Sequence, residues 1–295
     1  LTLGPLKTAA KAGLSARQAE ALGATLPPLL VAAQRVANTV AQGVHGRRRV
    51  GQGDSFWQYR PVVAGDPPGR IDWRASAKTD RAYVRQTEWE AAQTVYLWRD
   101  AGPSMDWRSG SAVPLKRERA DLLLLALAAL LLRGGERVRL LGGPARLPGG
   151  RGALEGLAAA LGEMPPGDGL PPDAPLPRHA RVVLFGDFLS PLPAIQRTVG
   201  ALASLPIQGH VQQVLDPAEA LLPFSGRVRF QGVHTEADHI VPRVEGIREG
   251  YAAALSEQLH GLSDLCTAAG WTFGTHRTDH GPETALLALY SALAV

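Results

Sequence analysis

Two acidic residues in this chain each stand directly after an apolar run, and that placement is where chemistry is expected. Gln93 to Met105 reads Gln-Thr-Val-Tyr-Leu-Trp-Arg-Asp-Ala-Gly-Pro-Ser-Met, with the β-branched, aromatic and aliphatic residues of a buried strand stopped by Asp100 and by turn-forming Gly102 and Pro103. Arg181-Val-Val-Leu-Phe-Gly186 is a second such run, closed by Asp187. In open parallel α/β sheets, ligands collect at the carboxyl ends of strands, near the point where the strand order reverses. Asp100, Ser104 four residues further on, and Asp187 could there offer the hard oxygen ligands that Mg²⁺ or Mn²⁺ prefers. Each acid taken alone is as well explained as a solvated loop residue or a helix N-cap. The pairing is what points to an ion.

The elements that must position these residues follow from the pattern around them. After Met105 a helix is expected from about Leu115 to Arg133, then a strand Glu136 to Leu141 with Ala145 to Leu147 as a short hairpin partner. A helix from Gly152 to Leu161 leads into a Pro-rich surface loop, Pro165 to Pro177. The strand Arg181 to Phe185, a helix from Leu192 to Leu205 and the strand Ile207 to Leu215 come next, then Arg227 to Gly232 as an edge strand. A long helix from about Val241 to Ala269, the strand Trp271 to Thr275 and a helix from Glu283 to Leu293 close the series. Strands alternating with helices of this length mean crossover connections and a mostly parallel, doubly wound α/β sheet.

Upstream the chain changes character. Residues 1–42 read as an N-terminal helical arm, with one amphipathic stretch from Ser15 and a helix opened by Pro27 or Pro28 and running through Val40. Residues 43–91 form a small Trp- and Arg-rich β insert, and 92–295 the α/β domain. Five of the six tryptophans (Trp57, Trp73, Trp89, Trp98, Trp107) fall within about fifty residues, interleaved with Arg60, Arg70, Arg74, Arg85, Asp66, Asp72, Glu88 and Glu90. That density fits either a tied mini-core of salt-bridged strands or a binding face rich in residue types that carry interface energy.

Composition narrows the classes. With 295 residues, 45% of them hydrophobic, the chain can bury a sizeable core. The net charge of +4 is local: between Gly43 and Glu90 nine Lys or Arg face six Asp or Glu. The one cysteine, Cys266, excludes an intramolecular disulfide and lies in an apolar helical pattern, as a small core residue does. Leu122 to Leu132 is an unbroken Leu/Ala run too short to span a membrane, hence a buried helix. The start of the chain has no signal-peptide pattern, so a cytoplasmic protein without a membrane span is expected.

Other constellations are weaker. Arg47 to Arg49, between glycines, could grip phosphate or nucleic acid, but the footprint is small and no aromatic residues interleave it. His234, Glu236, Asp238 and His239, and separately His276, Asp279 and His280, suggest zinc without matching a compact ligand spacing. Ser104 with His280 as base would make a hydrolase, yet Gly-Pro-Ser-Met-Asp is not a nucleophile elbow. No Gly-x-x-x-x-Gly-Lys loop is present, so nucleotide hydrolysis would belong to a partner.

The order strand, Asp100-x-Gly102-x-Ser104, helix, strand, helix, and a second strand ending in Asp187 resembles the von Willebrand factor A fold. Its metal-ion-dependent adhesion site uses an Asp-x-Ser-x-Ser loop, a later Thr and a later Asp. Gly65-Asp66, Arg70-Ile-Asp-Trp73, Ala75-Ser-Ala77, Arg85 with Glu88, Leu215-Asp-Pro-Ala-Glu219, Leu222 to Arg227 and Thr278-Asp279 resemble the bacterial domain of unknown function 58 family. The resemblance implies a non-enzymatic adaptor or partner of a MoxR-type AAA+ ATPase, acting with an unknown client in protein assembly or maturation, and no nucleic acid. It also implies a degenerate adhesion site of Asp100, Ser104 and Asp187 around Mg²⁺ or Mn²⁺, with Gly102 in place of the first serine. Trp57, Arg70, Asp72, Trp73, Arg85 and Glu88 are the expected partner-binding residues.

Overall fold

The computed structural model describes residues 31–41, 56–62, 71–77, 82–87, 93–144, 152–231 and 238–293. The first 30 residues, Arg47 to Arg49, Ala145 to Leu147, Arg70, Glu88, His234 and Glu236 lie outside the described residues. A helix over 31–41, α1, comes first. The strands β1 (Phe56–Pro61) and β2 (Tyr83–Thr87) flank a single helical turn, α2 (Trp73–Ser76), and pair antiparallel in a sheet of their own.

Five parallel strands make the central sheet, in the order β4 (Arg137–Leu140), β3 (Thr94–Arg99), β5 (Arg181–Gly186), β6 (Gln208–Leu215), β9 (Thr272–Arg277). Counted along the chain this is 2-1-3-4-5, so the order reverses between β3 and β5. A doubly wound sheet leaves its crevice at that switch point, because the connections from the two strands depart to opposite faces.

Both faces of the sheet are covered, which explains why the central strands read as continuous apolar runs rather than alternating ones. Val95 and Leu97 of β3 and Val183 and Phe185 of β5 face a core shared with α1, α3 (Lys116–Arg133), α4 (Ala153–Gly162) and α8 (Pro282–Ala292). Trp98, Val182, Leu184 and Val211 face the other way, onto α5 (Leu192–Ala203) and α7 (Arg248–Ala268). The Leu/Ala run of α3 is buried from Leu123 through Leu131, so the short apolar helix is a core element as its length required. Helix α1 joins the same core through Ala33, Val36, Ala37 and Val40, the spacing of one helical face.

Two elements depart from the sequence reading. Arg227 to Gly232 was expected to edge the main sheet and Val241 to open a long helix. Instead Val228–Phe230 (β7) pairs antiparallel with His239–Val241 (β8) in a separate hairpin, and α7 starts only at Arg248. Pro242 and Gly246 break the helix at its supposed first turns, while β-branched Ile240 and Val241 pair readily as a strand. Helix α6 (Pro217–Leu221) fills the connection after β6.

Candidate functional site

Asp100 follows β3 and Asp187 follows β5, so the two carboxylates stand side by side at the switch point. The backbone N–H of Asp100 donates to the Phe185 carbonyl at 2.8 Å and ties the two strand ends together. Gly186 keeps this junction uncrowded: a Cβ would lie 3.1 Å from the Asp100 Cβ and 3.3 Å from the Phe188 ring, so one of them would have to give way. Phe188, buried against Trp98, takes a left-handed backbone (φ 48°) immediately after Asp187.

Asp100 is wholly buried. Its Oδ1 folds back to accept the Gly102 N–H at 2.6 Å, while Oδ2 has no hydrogen-bond partner. This contact explains Gly102, because a Cβ at that position would fall 2.9 Å from Oδ1. The Pro-rich segment expected as a surface loop forms part of the cover. Gly167 N–H donates to the Ala101 carbonyl at 3.2 Å, and Gly169, with φ at +87°, lies over Oδ2. Burial pushes the Asp100 carboxyl up to about 6, and the charge on Asp187 adds to the rise. Gly102 N–H, Arg99 and Lys116 oppose it.

Asp187 is differently placed. Its Oδ2 accepts from the Lys116 ammonium at 2.9 Å, and its Oδ1 accepts from Leu189 N–H at 3.3 Å. Lys116 is itself fully buried and reaches Glu219 Oε1 at 2.5 Å. Burial alone would lower its pKa, but the two carboxylates overcome that and hold the ammonium above its usual value. Glu219 is aimed by a reciprocal capping box at the start of α6. Asp216 Oδ1 accepts from Ala218 N–H at 2.8 Å, and Glu219 Oε2 accepts from Asp216 N–H at 2.9 Å. The other oxygen of Asp216 accepts from Ser109 N–H, which pins the loop before α3 onto the same edge.

Lys116 and Glu219 were not singled out by the sequence reading. The signal was present: Lys116 is the first residue of α3, where the helix dipole disfavours a cation, and apolar turns follow it. Asp216-Pro-Ala-Glu219 was noticed as a motif, and its pattern is that of a capping box.

The fit of this donor set to a divalent ion can be tested on its oxygens. Of the four carboxylate oxygens of Asp100 and Asp187, only Asp100 Oδ2 is uncommitted. Ser104 sits half-buried in a 3₁₀ turn, Pro103–Asp106. An ion bridging Asp100 and Asp187 would meet a fixed ammonium on the same Asp187 carboxylate, and among the described residues no group of three His, Cys, Asp or Glu is arranged to hold a metal. The arrangement as folded does not fit such an ion.

The other candidates separate. His280 is exposed beside Asp279 after β9, three strand spacings or roughly 14 Å from the end of β3. His276 is buried, with its pKa lowered to about 4 by burial and by the charges of Arg119 and His280. Cys266 is buried in α7, and burial pushes its thiol up to about 12.

In the small sheet, Asp72 and Ser76 hold α2 on β2. Asp72 N–H donates to the Tyr83 carbonyl at 2.9 Å, Tyr83 N–H donates to Ser76 Oγ at 2.9 Å, and Asp72 Oδ1 caps Arg74 N–H at 3.1 Å. This leaves the Trp73 side chain 65% exposed, with Arg74 exposed beside it. Trp57 and Arg85 lie on β1 and β2, whose pairing sets Arg85 opposite Tyr59.

Fold and site together define a parallel α/β domain with a buried charged cluster at its switch point. The model for "Protein of unknown function DUF58" matches residues 58–261, and the chain belongs to that family. That span holds Trp73, Asp100, Lys116, Asp187 and Glu219. The uncharacterized protein Rv1480 of Mycobacterium tuberculosis is 27% identical over 274 residues, covering 88% of this chain and 85% of its own. Uncharacterized protein Mb1516 of Mycobacterium bovis matches to the same extent. Among solved structures, an aerotolerance-related membrane protein from Bacteroides fragilis, carrying multiple mutations to serine, aligns at 15% identity over 69% of this chain and 99% of that chain, with a TM-score of 0.39. Conserved hypothetical protein BatB from Bacteroides thetaiotaomicron aligns at 14%, 69% and 98%, with a TM-score of 0.40. Among the described residues, no helix is long and apolar enough to cross a membrane.

Proposed function

We propose that this protein is a non-enzymatic protein-interaction module of the cytoplasm. It serves as adaptor or partner of a MoxR-type AAA+ ATPase in the assembly or maturation of a client protein. The partner class comes from the family resemblance. The observation that carries the interaction reading is Trp73: an indole left in solvent by a hydrogen-bonded turn that fixes its backbone, with an arginine next to it. Tryptophan and arginine are the residue types that most often carry interface energy, and a pre-fixed turn lowers the entropy lost on docking.

The test is retention of a purified MoxR-type ATPase on immobilised protein in the presence of ATP or ADP. Wild-type protein is expected to retain it and Trp73→Ala to release it while staying folded. If wild type retains nothing under either nucleotide, the adaptor reading fails. The competing enzyme reading predicts ester or phosphoester turnover abolished by Ser104→Ala. No hydrogen bond joins Ser104 to His280, whose ring is exposed beside Asp279, and that counts against it.

A further inference from the structure

The carboxyl edge of the sheet poses a charge problem that the structure solves internally. Asp187 and Glu219 lie 71 and 103 residues from Lys116 in sequence, yet both converge on one ammonium with no solvent contact. Every partner of that ammonium is itself held. Asp187 is fixed through Leu189 N–H and through its carbonyl, which accepts from Gln213 Nε2 at 2.8 Å. Glu219 is fixed by the capping box and by its carbonyl, which accepts from Tyr251 Oη at 2.6 Å. A buried charge is tolerated only when paired and hydrogen-bonded in this way.

We propose that the Lys116 ammonium is the resident cation of this site. It stands on Asp187 where a bridging divalent ion would need to bind, and it joins the end of β5 to α6 and the start of α3. The inference goes beyond the adaptor reading by removing a metal from the contact. A partner docking at this edge meets an ammonium already paired with two carboxylates, not an ion with an open coordination position that a partner carboxylate could complete.

The experiment uses the full chain alone. Its melting temperature is measured in EDTA and across a titration of Mg²⁺ and of Mn²⁺, for wild type, Lys116→Met and the double variant Lys116→Met/Glu219→Gln. Wild type is expected to shift by less than about 1 °C with either ion, whereas a site filled a hundredfold above its dissociation constant would raise it by about 5 °C or more. Lys116→Met is expected to lower the melting temperature by about 10 °C, because it strands the buried Asp187 and the part-buried Glu219 carboxylates, and the double variant to recover part of that loss. A wild-type rise of that size, reversed by EDTA and lost in Asp187→Asn, overturns the proposal. So does a Lys116→Met protein as stable as wild type. Should Lys116→Met fail to fold, the wild-type titration still decides. Because it reads this chain without a partner, the titration can fail while ATPase retention succeeds, and the reverse.

Discussion

The carboxyl edge of the five-stranded sheet and the small β1–β2 sheet treat their functional residue types in opposite ways. At the edge, Asp100, Lys116 and Asp187 are withdrawn from solvent, and the Lys116 ammonium and both Asp187 oxygens are spent on groups of the fold, with Asp100 Oδ2 left unpartnered. In the small sheet, Asp72 and Ser76 spend hydrogen bonds on holding a turn, and the Trp73 indole is left outside. One region uses charge to join parts of the fold that are distant in sequence. The other uses polar groups locally to present an aromatic ring. A carboxylate at a switch point is therefore not by itself a ligand site, and a motif rich in hydrogen bonds can serve the residue beside it.

The largest expected effect breaks the first half of that contrast. Removing the ammonium with Lys116→Met should cost about 3–5 kcal/mol in denaturant unfolding, the cost of leaving buried charge uncompensated. If the loss is below about 1 kcal/mol, the edge is not held by charge.

Asp100→Asn should have the opposite sign. The Asp100 pKa is raised from 3.8 to about 6, so between those values the folded chain keeps a proton that the unfolded chain has lost. Its charge therefore costs stability above pH 6, and the cost fades as pH falls towards 3.8. Asparagine keeps the acceptor for Gly102 N–H without the charge. It should gain about 3 kcal/mol at pH 8 and close to nothing at pH 3.5. Equal stability of the two proteins at pH 8 would show that the orphaned oxygen is compensated.

His210 tests whether buried polar groups away from the edge behave alike. Burial lowers its imidazole to about 4, against a hydrogen bond with Gln212 that favours the charged form. As pH falls from 6.5 to 4 the unfolded chain takes up a proton that the folded chain refuses, so this group's contribution to stability is lost over that window. His210→Gln should therefore improve relative to wild type by about 2 kcal/mol between pH 7.5 and 4.5, read from paired urea melts. A pH-independent difference would mean that the ring titrates alike in the folded and unfolded chains, so that burial does not hold it neutral.

The smallest stability effect belongs to Trp73→Ala, expected within about 0.5 kcal/mol of wild type because the ring is mostly solvated. A loss of 2 kcal/mol would erase the contrast by making Trp73 a core residue.

What the sequence revealed follows the same division between local and distant. Asp100 and Asp187 were legible because each ends a short, β-branched apolar run, the composition of a strand buried on both faces of a parallel sheet. The Leu/Ala helix was legible by its length. Lys116 was not, because its meaning lies in two partners far along the chain, and only the fold brings them together. Asp72 is expected at a partner contact, and its Oδ1 also caps the Arg74 N–H, a local role that a one-turn helix with no periodicity does not announce. The β7–β8 hairpin was missed because its strands are three residues long, shorter than any pattern that would reveal alternation.

A cation carried on a side chain has no dissociation constant. Its occupancy does not follow the supply of free metal, a chelator cannot strip it, and no exchange of ions sets a rate for assembling or releasing the edge. With Lys116 in place, one molecule of this protein carries one cation on Asp187 from the moment it folds, and that cation's presence is set by sequence instead of by the supply of free metal.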